Sequence, residues 1–500
     1  MRDPATRRIV LLSLALLAVR ALSLAVVAQP GYTDAYYYAS VAERLARGEG
    51  LSADFVWSFL EAPGLAALPV PSHRFWMPLA SALGAAGIAT LGSLLGTFRA
   101  AQLPIVLVAA LLPWLSWRAA RGQGASERAA LVAAALVGLG GLFAPAWVAL
   151  DGFAPAALAG TAFFLAYGRA ATGSARAGLA CGLACGILFL ARAEGALFGA
   201  ALLALALRPV SRRAGLTGSA VALAIGSAWL ARDAAVGGAG DALARSALLV
   251  RYEDFFALRA VDAAALLASP GDALGARLGA LGADAVTLAA ALSFVLVPPL
   301  VVGLWTARSR PDVRAFAGLG LLVYLAEALV WTLHATRGSY FHSLAAFFPF
   351  AVALAVVGAE RWLAPRGART LRVAAGGALA AVAILSVAAV LQWDTAFNAP
   401  YRVRAAALDA LPAGPLLAID AAAWRWIARR PALVTPADGL AAAGCVARAY
   451  AAGSLVLEAA HFRAYGALYR GDERPAWLGA AIERGPVRVF PVVAPPPCVP

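Results

Sequence analysis

Residues 29–77 read QPGYTDAYYYASVAERLARGEGLSADFVWSFLEAPGLAALPVPSHRFWM and separate an apolar N-terminal segment from a long series of further apolar segments. A Pro-Gly pair near its start is typical of a turn, and apolar residues at helical spacing then predict a helix over Tyr36–Arg47. Asp34 comes just before that helix, next to Tyr36 and Tyr37. An acid and tyrosines at a helix start near a membrane surface predict a site for chemistry. An N-cap role for Asp34 is the structural alternative.

The composition excludes an ordinary soluble protein, because 62% of the residues are hydrophobic and only 14% are charged. The formal net charge is +14, and every basic side chain is an arginine. These arginines lie mostly in short gaps between apolar segments. That pattern sets membrane topology and does not indicate nucleic-acid binding. No GxxxxGK[ST] loop is present, which argues against ATP use. The chain is therefore predicted to be an all-α polytopic membrane protein.

Apolar segments alternate with basic gaps in a way that predicts eleven transmembrane helices. The first is a retained N-terminal helix, with a cleaved signal peptide as the alternative. Residues 78–95 are predicted to lie along or dip into the outer face, because the arginine-rich gaps allow no net crossing there. The N-terminus is then cytoplasmic, the C-terminus is outside, and residues 29–98 and 232–285 form two outer loops. The predicted spans are Ile9–Ala28, Arg99–Trp117, Ala129–Val148, Phe153–Gly168, Ala177–Ala191, Gly195–Leu207, Ala214–Leu230, Val286–Thr306, Ala315–Leu333, Phe341–Val357 and Val373–Leu391.

The composition changes at Gln392, which divides a membrane module over residues 1–391 from a C-terminal region over residues 392–500. Strands that alternate with helices predict a small extracytoplasmic α/β domain there. Cys445 and Cys498 lie in this domain, and the sequence leaves open whether they form a disulfide. The predicted strands are Leu416–Asp420, Leu433–Thr435, Ser454–Glu458 and Val487–Val493, and the predicted helices are Ala421–Arg430, Asp438–Ala452 and Phe462–Gly471.

Isolated polar residues gather at the predicted outer ends of the helices. They are Asp34, Asp151, Arg192, Glu194, Arg232, Arg337 and His342. Ionisable groups at membrane depth are usually paired or functional. Snorkelling is the alternative for the arginines, and an internal ion pair is the alternative for Arg192 and Glu194. Acids together with arginines suit a reaction between a lipid phosphate and a polar acceptor, since arginine binds phosphate and a carboxylate can take a proton.

Two further patterns have a simpler interpretation. Glu327 lies deep in a predicted span, where a packing pair with Arg20 would satisfy its charge. His73 and His342 are candidate metal ligands, but no HxH or HExxH spacing accompanies them. No cofactor is certain, and a divalent metal ion stays open.

Four stretches resemble the GT-C membrane glycosyltransferases. The resemblance is to the branch with protein O-mannosyltransferases, the lipid A aminoarabinose transferase and the rhizobial lipopolysaccharide galacturonosyltransferases. It covers roughly residues 9–390 and rests on the order of the stretches along the chain. The stretches are Asp34 followed by YYYASVAERLARGEG, Asp151 at the outer end of the third helix, FLARAEG over Phe189–Gly195, and RGSYFHSLAAFFPF over Arg337–Phe350.

This resemblance implies transfer of a sugar from a polyprenyl-phosphate donor to a lipid, glycan or protein at the outer face of a bacterial cytoplasmic membrane. It implies a base role for Asp34 and a supporting role for Asp151. Substrate or carrier-phosphate contacts are expected from Tyr36, Tyr37, His73, Arg192, Glu194, Arg232, Arg337 and His342. After the first loop, many relatives carry an acid and a proline-rich turn, whereas residues 72–78 of this chain read SHRFWMP. This departure leaves the metal and the sugar open. The acceptor is open as well. Asp54 and Glu61 are candidate substitutes for that acid.

Two other function classes compete with the enzyme. A transporter or flippase of a lipid-linked substrate would show two related halves with broken helices near the midplane, and the sequence has no such symmetry. A structural membrane subunit would leave Asp34 as a helix cap. The clustering of polar residues at one face favours the glycosyltransferase.

Overall fold

The computed structural model describes residues 4–62, 64–236, 241–247, 249, 251–259 and 269–498. Part of the predicted second outer loop, including residues 260–268, lies outside the described residues. The chain divides into two compact units. The first, called here the helical unit, comprises Met1–Ala28, Trp76–Ala235 and Arg277–Trp393. The second, called the mixed unit, comprises Gln29–Phe75, Val236–Ala276 and Asp394–Pro500.

Helices build the described part of the helical unit. In chain order they are Pro4–Val26, Leu79–Leu95, Thr97–Ala110, Leu112–Gly122, Glu127–Leu139, Phe153–Ala170, Ala175–Ala191, Gly199–Ala206, Arg212–Ala235, Pro270–Ala291, Val297–Thr306, Pro311–Leu329, Thr332–Ala335, Ser339–Leu344, Phe348–Leu363 and Ala368–Trp393. The Pro270–Ala291 helix begins in the segment assigned to the mixed unit.

Six helices in the described residues are long and apolar enough to cross a membrane. They are Thr6–Val26, Thr97–Gly122, Pro209–Ala235, Pro270–Ala291, Phe348–Arg366 and Ala368–Ala410. Four shorter apolar helices belong to the helical unit: Leu79–Leu95, Ala175–Ala191, Ala193–Ala206 and Val297–Thr306. The chain is therefore a polytopic, mostly helical membrane protein.

Several predicted spans are interrupted, for a local backbone reason. The helix that begins at Glu127 ends at Leu139, because Gly140 and Gly141 take φ values of 86° and 57°. Left-handed backbone of this kind cannot continue a right-handed helix. Ser293 and Phe294 also have positive φ, and they separate Pro270–Ala291 from Val297–Thr306, where a single span over 286–306 was predicted.

Small residues let neighbouring helices of the helical unit approach closely. A Cβ built on Gly178 would lie 2.2 Å from the Ala214 carbonyl oxygen, and one on Gly182 would lie 2.3 Å from that of Gly218. The Ala175–Ala191 and Arg212–Ala235 helices thus meet backbone to backbone, as is common for helices packed in membranes. Gly87 plays the same role between Leu79–Leu95 and Thr97–Ala110.

The mixed unit is built on a six-stranded sheet. Its edge strand, Phe55–Val56, comes from the Gln29–Phe75 part of the unit and pairs in parallel with Ala432–Val434. The sheet order is Phe55–Val56, Ala432–Val434, Leu416–Ala418, Ser454–Leu457, Val487–Pro491 and Ile482–Arg484. The first three pairings are parallel and the last two antiparallel. The principal helices are Thr33–Ala46, Ala399–Ala405, Ala421–Ala428, Leu440–Ala449 and Gly466–Arg470.

A disulfide joins Cys445 to Cys498, whose Cα atoms are 4.5 Å apart. It ties the Leu440–Ala449 helix to the C-terminal end of the described chain. Cys181 and Cys185, by contrast, are free and buried in the helical unit, where they act as small packing residues.

Candidate active site

Asp34 lies in the first turn of the Thr33–Ala46 helix and is half-buried. Tyr32 occupies the N-cap position, so the predicted N-cap role of Asp34 is wrong by two residues. The helix starts earlier than predicted because Thr33 and Asp34 tolerate the first turn. A carboxylate in that turn is favoured by the partial positive charge of the helix N-terminus.

Tyr36 and Tyr37 point into the core of the mixed unit, and both are fully buried. The Tyr36 hydroxyl donates to the Gln29 side chain. The Tyr37 hydroxyl donates to Glu61 Oε1 over 2.7 Å. Burial raises the pKa of both phenols, so they stay protonated donors. These contacts orient the helix that carries Asp34.

His73 belongs to the same buried network. Its backbone N–H donates to the Tyr37 hydroxyl over 2.5 Å, and its ring lies 5.3 Å from the Tyr37 ring. The ring also stacks against Tyr38 at 6.0 Å. Tyr37 and His73, two of the predicted substrate contacts, thus lie together. Protein groups surround both side chains.

Glu61 and Asp54, the two candidate substitutes for the missing acid, both have protein partners. Glu61 accepts from the Tyr37 hydroxyl, from the Trp57 indole and from the Arg74 backbone N–H over 3.1 Å. Its burial raises the pKa of the carboxyl. Asp54 accepts two bonds from Arg425, over 2.7 and 3.1 Å. Glu61 is buried and Asp54 is held by the Arg425 guanidinium, so both acids already serve as acceptors for protein groups.

Asp151 and His342 meet in the helical unit, although 191 residues separate them. Asp151 is fully buried, and its Oδ2 lies 3.6 Å from His342 Nδ1. The Gly152 backbone N–H donates to the other carboxylate oxygen. The Phe153 ring lies 4.0 Å from the imidazole ring. A carboxylate and an imidazole so arranged are suited to proton transfer, and they are also two ligand types that divalent metals accept.

Arg192 and Glu194 form the ion pair that the sequence offered as an alternative. The Ala175–Ala191 helix ends there because Arg192 takes an extended backbone, with φ −155° and ψ 134°. Arg192 donates to Glu194 over 3.2 and 2.8 Å and to the Ser339 hydroxyl over 3.1 Å. Only glycine fits at position 152, since a Cβ would lie 2.8 Å from the Ala191 carbonyl. The same Cβ would lie 3.5 Å from Arg192 Cγ, so the residue after Asp151 packs against the Arg192 side chain.

Glu327 completes this cluster through two serines. Ser339 lies 3.1 Å from Glu327 Oε1 and 3.3 Å from Glu194 Oε1, and Ser343 donates to Glu327 over 2.6 Å. The predicted pair with Arg20 is wrong. The Arg20 guanidinium is buried with no hydrogen-bond acceptor among the described residues. Neither serine was predicted as a site residue, although their i, i+4 spacing within RGSYFHS puts them on one helix face.

The two remaining arginines are less enclosed. Arg232 lies in the last turn of the Arg212–Ala235 helix, 3.5 Å from Asp233 and 5.0 Å over the Trp229 ring. Arg337 is exposed and lies two residues before Ser339. The structure therefore gathers Asp151, His342, Arg192 and Glu194 in one cluster, with Arg337 on the adjoining stretch.

An apolar cavity of about 360 Å³ lies in the same unit. It is lined by side chains of five helices, including Leu288, Leu300, Phe316 and Tyr340. Val323 and Phe347 line both this cavity and a much smaller one of about 10 Å³ that contacts Arg192, Glu194 and Ser343. The polar cluster and the apolar cavity thus share a wall. This arrangement suits a ligand with a polar head and a hydrocarbon tail.

Comparison with known proteins finds likeness in structure alone, since no protein-family model and no curated protein sequence matches the chain. Apo ArnT from Cupriavidus metallidurans superposes with a TM-score of 0.62 at 15% identity, over 98% of both chains. The same protein bound to undecaprenyl phosphate gives 0.60. The Archaeoglobus fulgidus oligosaccharyltransferase gives 0.56 at 14% identity, over 91% of this chain and 69% of that one. Its complex with an inhibitory peptide and a dolichol-phosphate gives 0.54.

Proposed function

We propose that this chain, which has the fold of the GT-C glycosyltransferases, transfers a sugar from a polyprenyl-phosphate carrier to an acceptor hydroxyl or amine. The observation that carries the proposal is the likeness to ArnT over 98% of both chains, since it includes both compact units. Four short stretches of the sequence, taken in their order along the chain, resemble the same fold class.

The donor is proposed to be a polyprenyl phosphate sugar. Two similar structures were solved with a polyprenyl phosphate, which is undecaprenyl phosphate in ArnT and dolichol-phosphate in the archaeal enzyme. In this chain, the cluster around Arg192 and His342 and the adjoining apolar cavity support binding of an anionic head and an isoprenoid tail. Arg337 and Arg232 are proposed as further phosphate contacts, because guanidinium groups bind phosphate through paired charge-assisted bonds.

Asp34 is proposed as the general base. The acceptor oxygen or nitrogen attacks the anomeric carbon, the bond from that carbon to the carrier phosphate breaks, and the acceptor proton passes to the Asp34 carboxylate. Polyprenyl phosphate leaves with the bonding electrons, and the anomeric configuration inverts. A half-buried carboxylate in a first helical turn is a suitable base because it is held in place and still accessible.

Asp151 is proposed to support the reaction through His342. If a divalent metal ion takes part, Asp151 and His342 are the residues that would hold it, and the ion would stabilise negative charge on the departing phosphate. Glu194 and Glu327 are proposed to hold Arg192 and the Ser339–Leu344 helix in place. Substrate contacts from Tyr36, Tyr37 and His73 stay a prediction. All three side chains are buried, and this burial favours a role in supporting the Asp34 helix.

The reaction is proposed to take place outside the cytoplasm. The arginine-rich gaps favour a cytoplasmic N-terminus, an outer C-terminus and eleven crossings of a bacterial inner membrane. The disulfide between Cys445 and Cys498 supports an outer location for the mixed unit, because disulfides persist in oxidising compartments. Membrane lipids surround the protein, and its acceptor is a lipid, a glycan or a protein.

The test is transfer from a panel of radiolabelled polyprenyl-phosphate sugars to membrane extract, comparing wild type with Asp34→Asn at equal amounts of folded protein. Loss of a general base is expected to lower the rate by about 10²- to 10⁴-fold. In the helix, this substitution also removes a charge–dipole interaction of about 0.3–1 kcal/mol.

Asp472→Asn is the matched control, since the Asp472 side chain is 57% exposed and forms a surface ion pair with Arg470. It should transfer label at the wild-type rate. Full activity of Asp34→Asn would remove Asp34 as the base. Absence of transfer by wild type, together with movement of the lipid-linked sugar between leaflets, would favour a flippase.

A further inference from the structure

The helix that carries Asp34 is attached at its C-terminal end to the Ala421–Ala428 helix of the mixed unit. Arg425 Nη1 donates to Glu43 Oε2 over 2.7 Å, and Arg429 Nη1 contacts the same carboxylate at 3.0 Å. The Glu43 and Arg425 side chains are only 6% and 5% exposed. Water therefore screens this pair little, and the pair holds the helix end in one place.

The N-terminal end of the same helix is attached to the same partner helix. The Thr33 hydroxyl donates to Asp420 Oδ1 over 3.3 Å. Asp420 is the N-cap of Ala421–Ala428 and accepts from the Ala423 backbone N–H. Its other oxygen accepts from Arg404 over 3.2 Å. Thr33, the residue before Asp34, is thus hydrogen-bonded to the N-cap of the Ala421–Ala428 helix. Arg404 holds that N-cap in turn.

Arg425 also holds the chain that follows the helix. Its Nε and Nη2 atoms bind the two oxygens of Asp54. The next residues, Phe55–Val56, pair with Ala432–Val434 in the sheet. One guanidinium therefore joins the Asp34 helix, the strand after it and the C-terminal segment, using donors in the fixed fork geometry of arginine.

Arg425 contacts the Asp34 helix at Glu43, which is too far from Asp34 for the guanidinium to meet the reacting atoms. Glu43 is nine residues after Asp34, which corresponds to about 14 Å along a helix. An effect of Arg425 on Asp34 must therefore pass through the position of the helix and of the strand that follows it.

We propose that Arg425 is a positioning residue for Asp34, and that the Ala421–Ala428 helix with its N-cap Asp420 holds the helix that carries this base. This inference rests on the proposed base role of Asp34. Both ends of a short helix are tied to one partner helix, so its rotation and displacement are set by that partner. Release of one end lets the Asp34 carboxylate drift from the acceptor, and a drift of about 1 Å costs up to about 10²-fold in rate.

The experiment measures kcat and donor KM per folded molecule for the full-length protein with Arg425→Gln, Arg425→Lys and Arg484→Gln. Arg425→Gln is expected to lower kcat by about 10- to 100-fold with little change in KM, because the base is displaced while the donor still binds. Arg425→Lys should recover part of kcat, since it keeps the charge. Arg484→Gln breaks an exposed pair with Asp409, at 2.9 Å, and should match wild type.

An unchanged kcat in folded Arg425→Gln overturns the proposal. If that variant does not fold, Thr33→Val decides, because it removes only the hydroxyl that binds Asp420. It should fold and lower kcat several-fold, and wild-type kcat in Thr33→Val would then overturn the proposal. Asp34→Asn separates the proposed base role of Asp34 from the proposed positioning role of Arg425. An inactive Asp34→Asn with a normal Arg425→Gln refutes only the positioning role, whereas an active Asp34→Asn refutes the base role itself.

Discussion

Glu61 provides the most direct test of how the Gln29–Phe75 part of the mixed unit is held together. It is buried and accepts from Tyr37, from Trp57 and from the Arg74 backbone. In Glu61→Gln one carboxylate oxygen becomes an amide nitrogen, so one of these buried donors faces another donor. Leaving a buried donor unsatisfied costs about 1–3 kcal/mol. The variant is therefore expected to be less stable than wild type by about that amount at acidic pH.

The size of this difference should depend on pH in a defined direction. Burial raises the pKa of Glu61, so the folded protein holds that proton more tightly than the unfolded chain does. The stabilising contribution of the neutral acid is complete below the unfolded pKa of about 4.3 and is lost as pH rises through the folded pKa. The loss is about 1.4 kcal/mol for each pH unit by which burial raises the pKa. Glutamine has no such proton, so the wild-type advantage should shrink as pH rises.

The assay is thermal unfolding of the full-length protein in detergent between pH 4 and pH 8, for wild type, Glu61→Gln and Glu473→Gln. Glu473 is exposed in the same unit and serves as the matched control. A wild-type advantage that grows with pH, or stays flat, would refute the assignment of Glu61 as a buried acid with a raised pKa. Transfer activity per folded molecule should survive in Glu61→Gln, and its loss would restore Glu61 as a substitute for the missing acid.

Two further predictions concern stability. Cys445→Ser should lower the free energy of unfolding by about 2–4 kcal/mol, because it opens the loop closed with Cys498. Reductant should bring wild type to the same melting temperature, and an unchanged melting temperature in both would contradict a structural role for the bond. Gly87→Ala should cost about 1–3 kcal/mol through overpacking, since its Cβ would lie 2.1 Å from the Ala100 carbonyl oxygen. Gly376→Ala, which meets nothing within 4 Å, should not destabilise the protein in the same detergent melt, and equal effects of the two variants would contradict the close helix contact.

The sequence alone determined the features that depend on neighbours along the chain. Low charge and long apolar runs predicted a polytopic membrane protein, and the order of four short stretches predicted the GT-C fold, which the structural comparison confirms. Alternation of strands and helices predicted the C-terminal elements to within a few residues, as in Leu416–Ala418 and Ala421–Ala428. These signals are local, since hydrophobic period and turn residues act over one or two turns.

Tertiary structure alone decided which distant groups meet. The Phe55–Val56 strand is too short for a local signal and exists because Ala432–Val434 offers it a sheet edge. Glu327 bonds to Ser339 and Ser343 and not to Arg20, because helix docking decides which partners lie within hydrogen-bond reach.

In the candidate site, too, the sequence predicted the residue types and tertiary structure decided their partners. Its residue types could be predicted from isolated charges in an apolar chain, since each such charge needs a partner or a function. Their pairing could not. Glu43 meets Arg425 across 382 positions, and Asp151 meets His342 across 191. Such pairs form only after whole helices have packed, and that packing is a cooperative result of the entire chain.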